Sequence, residues 1–145
     1  MKTALVYASV HHGNTKKLAE RIAAECGVEL VDAVMSPHAD LSGYDKIGFA
    51  SGSYFNKMHQ TVLRAIEEDL PEGKDVFLIC TYGSRGAFGS AESLLAAKRA
   101  CIVGTFGCRG FDTYGPFKLI GGIAKGHPDE RDLAAAVAFV RGIIG

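Results

Sequence analysis

The sequence predicts an α/β fold, a three-layer sandwich in which an open, five-stranded parallel sheet carries helices on both faces. Three observations predict it. Five apolar runs of strand length recur along the chain, Ala4–Ala8, Val28–Val34, Lys46–Ala50, Asp75–Cys80 and Cys101–Phe106. The first, third, fourth and fifth are nearly continuous rather than alternating, as strands covered on both faces read. Helical patterns separate the runs, and because βαβ crossovers are right-handed, such an alternation winds into a doubly wound sheet.

Each element has its own signal. Behind the first strand, Leu18, Ile22 and Cys26 recur every four residues after Thr15, which makes one apolar helix face. After the second strand, the link Met35–Asp45 is too short for a full helix, though Asp40–Tyr44 suits a single turn. The third crossover carries Val62, Leu63, Ile66 and Leu70 at helical spacing, and a further helix is expected from about Ser90 to Ala100. Residues 111–126 form a glycine-rich connection too apolar for disorder, expected to pack near a ligand or a partner. The final helix is marked by Pro128 in its first turn, by Asp129 and Glu130 at the positive end of its dipole, and by Leu133, Val137 and Val140 on its apolar side.

At 145 residues, 48% hydrophobic and 22% charged, the chain is expected to be one domain with a packed core. Lys plus Arg and Asp plus Glu both number 16, so no net field draws in nucleic acid or anionic lipid. Cys26, Cys80, Cys101 and Cys108 include no CxxC pair. The first three lie in apolar or helical stretches where a thiol packs as a small hydrophobe, so the cysteines are expected to be free and reduced. No run approaches a membrane span and no secretory h-region opens the chain, so the expected location is the cytoplasm.

In an open α/β sheet the ligand lies beyond the carboxyl ends of the strands, where strand order reverses. The loop after the first strand, Ser9-Val10-His11-His12-Gly13-Asn14-Thr15, offers hydroxyl and amide donors and opens directly into a helix. Such a helix start suits a phosphate, because its first N–H groups have no partner within the helix. The bland reading is a turn and helix cap. The loop lacks a P-loop lysine and the GxGxxG spacing, which disfavours an ATPase or a dinucleotide site. After the third strand, Ser51-Gly52-Ser53-Tyr54-Phe55-Asn56 places two aromatics among small residues. After the fourth, Thr81-Tyr82-Gly83-Ser84-Arg85-Gly86-Ala87-Phe88-Gly89 repeats that chemistry. One phosphate-friendly loop and two glycine-rich aromatic loops converging on a crevice describe a site for a flat ring carrying a phosphate. A phospho-receiver would need clustered Asp at the strand ends, and a small tyrosine phosphatase would need C-x5-R, where Cys80 and Arg85 have four residues between them. The His residues lack the spacing of a metal site.

Leu5-Val6-Tyr7-Ala8-Ser9, then Gly13-Asn14-Thr15 and Leu18-Ala19, resemble the strand, phosphate loop and helix start of the flavodoxin family, and the resemblance extends over almost the whole chain. It implies the flavodoxin-like strand order 2-1-3-4-5, with FMN at the switch point between the first and third strands. The phosphate would lie on Ser9–Thr15 and the isoalloxazine between residues 51–56 and 81–88. The chain departs from the family in having one residue more between Ser9 and Gly13, His11-His12 in the phosphate loop, Tyr54 and Phe55 where a Trp-Gly pair is usual, and a neutral rather than acidic balance.

The function this implies is that of an FMN-binding electron carrier passing electrons between redox partner proteins, a reductase and an acceptor, as a monomer or weak homodimer and without catalytic residues of its own. The alternative is a small FMN-dependent oxidoreductase acting on a quinone or porphyrinogen-like substrate. The long apolar connection, His11, His12 and Arg85 are the features that would serve the enzyme. Cys108, placed just beyond the fifth strand, is expected to pack rather than react.

Overall fold

The computed structural model describes residues 2–8, 14–36, 38–52, 57–82, 88–109 and 129–144; of Asn14, Tyr82, Cys108 and Arg109 it describes the backbone. In chain order the elements are β1 (Thr3–Ala8), α1 (Asn14–Cys26), β2 (Glu29–Asp32), β3 (Lys46–Gly52), α2 (Gln60–Glu68), β4 (Asp75–Tyr82), α3 (Gly89–Ala97), β5 (Cys101–Arg109) and α4 (Glu130–Ile144). The strands form one sheet of order β2-β1-β3-β4-β5 with every pair parallel, as expected.

Two apolar layers hold the sheet between its helices. On one face Leu5, Tyr7, Phe77 and Ile79 meet Leu18 and Ile22 of α1 and Leu133, Val137 and Val140 of α4. On the other, Val6, Ile47, Phe49, Leu78 and Cys80 meet Val62 and Ile66 of α2 and Leu95 of α3. The first face is fitted by an alternation of size across the strands: Leu5 lies opposite Gly48, Gly48 opposite Phe77, and Phe77 opposite Gly104. A Cβ on Gly48 would come within 2.3 Å of the Phe77 ring, and one on Gly104 within 2.9 Å of Phe139. The two glycines are therefore recesses that leave room for large rings against the sheet. Phe139 of α4 fills the second, edge-on to Phe77 with ring centroids 6.1 Å apart.

Helix ends follow from local chemistry. His59 caps α2, its Nδ1 accepting from the Thr61 N–H at 3.1 Å. α4 opens on a reciprocal pair: Asp132 N–H donates to Asp129 Oδ1 at 3.0 Å and Asp129 N–H donates to Asp132 Oδ2 at 2.8 Å. This is the two-way satisfaction of free donors seen in a capping box. α3 ends at Ala97, and the chain turns away through Arg99 at φ 54°. The bidentate pair Arg21–Glu130, at 2.6 and 2.9 Å, joins α1 to α4. Among the described residues no helix is long and apolar enough to cross a membrane.

The structure corrects several boundaries. β2 covers Glu29–Asp32 rather than Val28–Val34, because it pairs only with β1 and its ends have no second partner. β3 and β4 run on to Gly52 and Tyr82, since polar or small residues there still complete the ladder. α3 is shorter than the expected span Ser90–Ala100, whereas Asp40–Tyr44 makes a turn and no full helix, as expected, with Asp40 Oδ1 accepting from Ser42 N–H at 3.0 Å. α4 begins at Glu130; Pro128 lies outside the described residues. β5 is not covered on both faces. It is an edge strand, with Cys101, Val103, Thr105 and Gly107 exposed and a bulge opposite Val76 and Phe77. Cys101 is accordingly a surface thiol, whereas Cys80 is buried; neither is in a disulfide, nor is Cys26. Cys108 lies within β5, opposite Thr81, and not beyond it. Residues 111–126 lie outside the described residues.

Candidate functional site

Parallel pairing brings the carboxyl ends of β1, β3 and β4 side by side, with Ala8 opposite Ser51, Ser51 opposite Cys80 and Gly52 opposite Thr81. The three loops singled out in the sequence all leave from this edge, on either side of the point where strand order reverses. Their bases are tied by short side chains.

The first tie joins α1 to β4. Thr15, the second residue of α1, places its Oγ1 2.9 Å from Thr81 Oγ1, and both hydroxyls are buried. The second closes the segment after β3: the Ser51 hydroxyl accepts from the His59 N–H at 2.7 Å and donates to the Gly52 carbonyl at 2.7 Å. The third ties that segment to α3, with Met58 N–H donating to Ser90 Oγ at 3.0 Å. Each brings together residues from parts of the chain far apart in sequence or bridges the loop between them. The loop bases are thus fixed by neutral groups.

The helix start beside this edge suits an anion. The first turn of α1 contains no carboxylate and includes Lys16 and Lys17, whereas α4 places Glu130 and Asp132 in its own first turn. A helix that carries internal carboxylates answers its positive end itself, and α1 leaves that role to something outside. Nearby, burial raises the Tyr7 phenol above its ordinary range, and the charges of Asp32 and Glu20 push the same way, so Tyr7 stays neutral through physiological pH. Among the described residues no three His, Cys, Asp or Glu side chains gather where they could hold a metal.

The sequence-predicted residues divide into two sets. Thr15, Ser51 and Thr81 are buried at this edge, Gly52 ends β3, Asn14 opens α1, and Tyr82 ends β4. Phe88 precedes α3, its carbonyl accepting from Ala91 and Glu92, and its side chain packs on the α2–α3 face. Ser51, Gly52, Thr81 and Tyr82 are strand residues, not loop residues. Ser9, Val10, His11, His12, Gly13, Ser53, Tyr54, Phe55, Asn56, Gly83, Ser84, Arg85, Gly86 and Ala87 lie outside the described residues. Sequence reasoning missed His59 and Ser90. A serine in the first turn of a helix was a visible signal for Ser90, but His is not among the strong N-cap residues, so His59 had none.

Comparison with known proteins agrees with the fold. The flavodoxin domain, as a sequence family, matches residues 4–99. An uncharacterized protein of Methanocaldococcus jannaschii is 35% identical over 152 residues, which cover 99% of each chain. Among solved structures, a flavodoxin from the domain Archaea superposes with a TM-score of 0.62 at 17% identity, covering 99% of each chain. Flavodoxin 2 from Bacillus cereus superposes with 0.63 at 19% identity, over 96% of this chain and 94% of its own. A flavoprotein from Lactobacillus acidophilus, solved in complex with FMN, superposes with 0.52 at 18% identity, over 73% of this chain and 92% of its own.

Proposed function

The chain belongs to the flavodoxin family, and on that premise we propose that it binds FMN and carries electrons between a reductase and an acceptor protein in the cytoplasm, as a monomer or weak homodimer. The observation that carries this reading is the meeting of Thr15 and Thr81 at the start of α1. That meeting brings the segment suited to a phosphate against the strand whose following loop is suited to a ring. The donor set fits FMN. Uncharged hydroxyl, amide and backbone N–H donors at a helix start without carboxylates are what a phosphate dianion needs. The FMN-bound structural neighbour supports the same ligand.

In this reading Asn14, Thr15 and the first N–H groups of α1, with Ser9–Gly13 before them, hold the phosphate. Residues 51–56 and 82–88 flank the ring, with Tyr54, Phe55 and Tyr82 as the aromatic surfaces, since Phe88 packs on the α2–α3 face. FMN, when bound, supplies one- and two-electron redox chemistry, while the protein supplies binding, orientation and polarity. The neutral ties at Ser51 and Ser90 keep the ring-side segments in place without adding a competing charge.

One helix start serves one phosphate, so FMN is expected to bind more tightly than FAD, and more tightly than riboflavin. Titration of flavin fluorescence with the apoprotein measures all three. Equal or tighter binding of FAD, or no quenching by FMN, would overturn the assignment. Slow or absent NAD(P)H oxidation by the FMN-loaded protein alone is the expected carrier result, and steady turnover would instead make it an enzyme.

A further inference from the structure

The Thr15–Thr81 pair holds more hydrogen than it can use. Each hydroxyl has one proton to donate and two lone pairs to accept with. Their oxygens are 2.9 Å apart, so one proton is shared between them and the other is left over. Thr15 is 2% exposed and Thr81 3%, so water is not a ready acceptor, and no described residue accepts the second proton. A buried donor without an acceptor is costly, which makes the leftover proton a demand for something beyond the pair.

Position decides which threonine holds it. Thr81 lies inside the sheet, between Gly52 of β3 and Cys108 of β5, with strands on both sides. Thr15 lies in the first turn of α1, among backbone N–H groups that have no partner within the helix. The acceptor that one proton of the pair lacks and the acceptor that the helix start invites are the same kind of group, an anionic oxygen.

We propose that Thr81 is a positioning residue for the phosphate of the flavin: its hydroxyl donates to Thr15 Oγ1, which turns the Thr15 proton outward to a phosphate oxygen that Thr81 itself does not touch. This rests on the proposed FMN site. The ordered chain from Thr81 through Thr15 to the anion polarises in one direction, and each bond in such a chain strengthens the next. Removing Thr81 leaves Thr15 in place but unaimed. Removing Thr15 takes away the contact and strands the Thr81 proton inside the sheet.

The experiment measures the affinity of apoprotein for FMN and for riboflavin by fluorescence quenching, with apoprotein stability by denaturant unfolding. It compares the parent with Thr81→Val, Thr81→Ser, Thr15→Val and the double valine variant. The parent is expected to prefer FMN. Thr81→Val is expected to lower that preference roughly tenfold with riboflavin affinity unchanged, as misdirection of the charge-assisted hydrogen bond from Thr15 predicts. Thr81→Ser restores it, and Thr15→Val lowers it further. The double variant loses the preference while its apoprotein stays as stable as the parent, because both hydroxyls are gone and no donor remains unmatched. An unchanged FMN preference in Thr81→Val, or an equal loss for riboflavin, overturns the positioning role. A parent that binds FMN and riboflavin alike fails earlier, by removing the phosphate site itself.

Discussion

The two ends of the sheet are fastened in different chemical styles. At the carboxyl end the fastenings are Thr15 to Thr81, Ser51 to the His59 N–H and Ser90 to the Met58 N–H, all short and uncharged. At the amino end they are mostly longer, and each sets one charged group against a neutral one. Lys2 N–H donates to Asp45 at 2.8 Å, Lys2 lies 5.0 Å over the Tyr44 ring, and Tyr44 donates its hydroxyl to Glu29. Lys74 Nζ reaches the Tyr44 and Ser42 carbonyls, and Lys46 Nζ reaches the carbonyl of Ile143. Long exposed side chains lose entropy when ordered and are screened by salt, so each contributes little. Short buried hydroxyls are already ordered by the backbone, and salt does not reach them. The difference teaches that the ties at the base of the candidate site are made without charged side chains and add no carboxylate to compete with a bound anion, whereas charged groups do the fastening at the opposite end.

Lesions placed between the ends, at one end and at the other should separate these styles. The largest effect is expected from Gly48→Ala, midway along β3, where the added methyl would come within 2.3 Å of the Phe77 ring. Overpacking of this kind costs about 3 kcal/mol, at the upper part of its usual range, and by displacing β3 from β4 it should disturb both ends together. Denaturant unfolding and FMN titration on the same variant test it; stability lost with FMN affinity intact would mean that the ends are independent of the middle.

Ser51→Ala should be intermediate, because it leaves the His59 N–H without its acceptor, at a cost of about 1–3 kcal/mol if that donor stays dry. Flavin affinity should fall as well, and both losses should persist at high salt. A loss that disappears in molar salt would break the distinction drawn above.

The smallest effect is expected from Tyr44→Phe, about 0.5 kcal/mol after allowance for solvent screening, with flavin binding unaltered. Its pH dependence sharpens the contrast. The hydrogen bond to Glu29 holds the Tyr44 phenol above its ordinary value of 10.0, with partial burial acting in the same sense. A group raised on folding contributes its stability fully below the unfolded pKa and loses it as pH rises through the folded one. The difference between parent and variant should therefore be constant at neutral pH and disappear only in alkali. Unfolding curves at stepped pH would show it.

Much of this was legible in the sequence, and the misses share a cause. Ala4–Ala8 and Asp75–Cys80 declared themselves as buried strands because aliphatic residues run through them without interruption. Ser51, Gly52 and Thr81 did not, because a hydropathy pattern stops at the first polar residue whereas the hydrogen-bonded ladder does not. The same residues are where the site begins, so the boundary errors fell on the functional edge. β5 was placed at the sheet edge as expected, but its faces were misread: Cys101–Phe106 is apolar enough for a strand covered on both sides, yet Cys101, Val103 and Thr105 are exposed. Just beyond α3, Arg99 takes the positive φ usually left to glycine, and nothing in its side chain announces that. For the site, Thr15 and Thr81 could each be named, but their 2.9 Å meeting depends on the alignment of strands far apart in sequence.

That alignment is itself guarded. Parallel strands joined through helices have no hairpin to set their phase, so neighbours could in principle assemble out of step. The recess at Gly48 admits the Phe77 ring. A two-residue slip, which keeps every side chain on its proper face, would set that ring against Ala50 or Lys46 instead. Such a slip would also carry Thr81 about 7 Å along the strand, well beyond hydrogen-bonding reach of Thr15. A missing side chain in the interior thus favours one alignment of β3 and β4, and the same alignment is the one that brings the hydroxyls at the edge together.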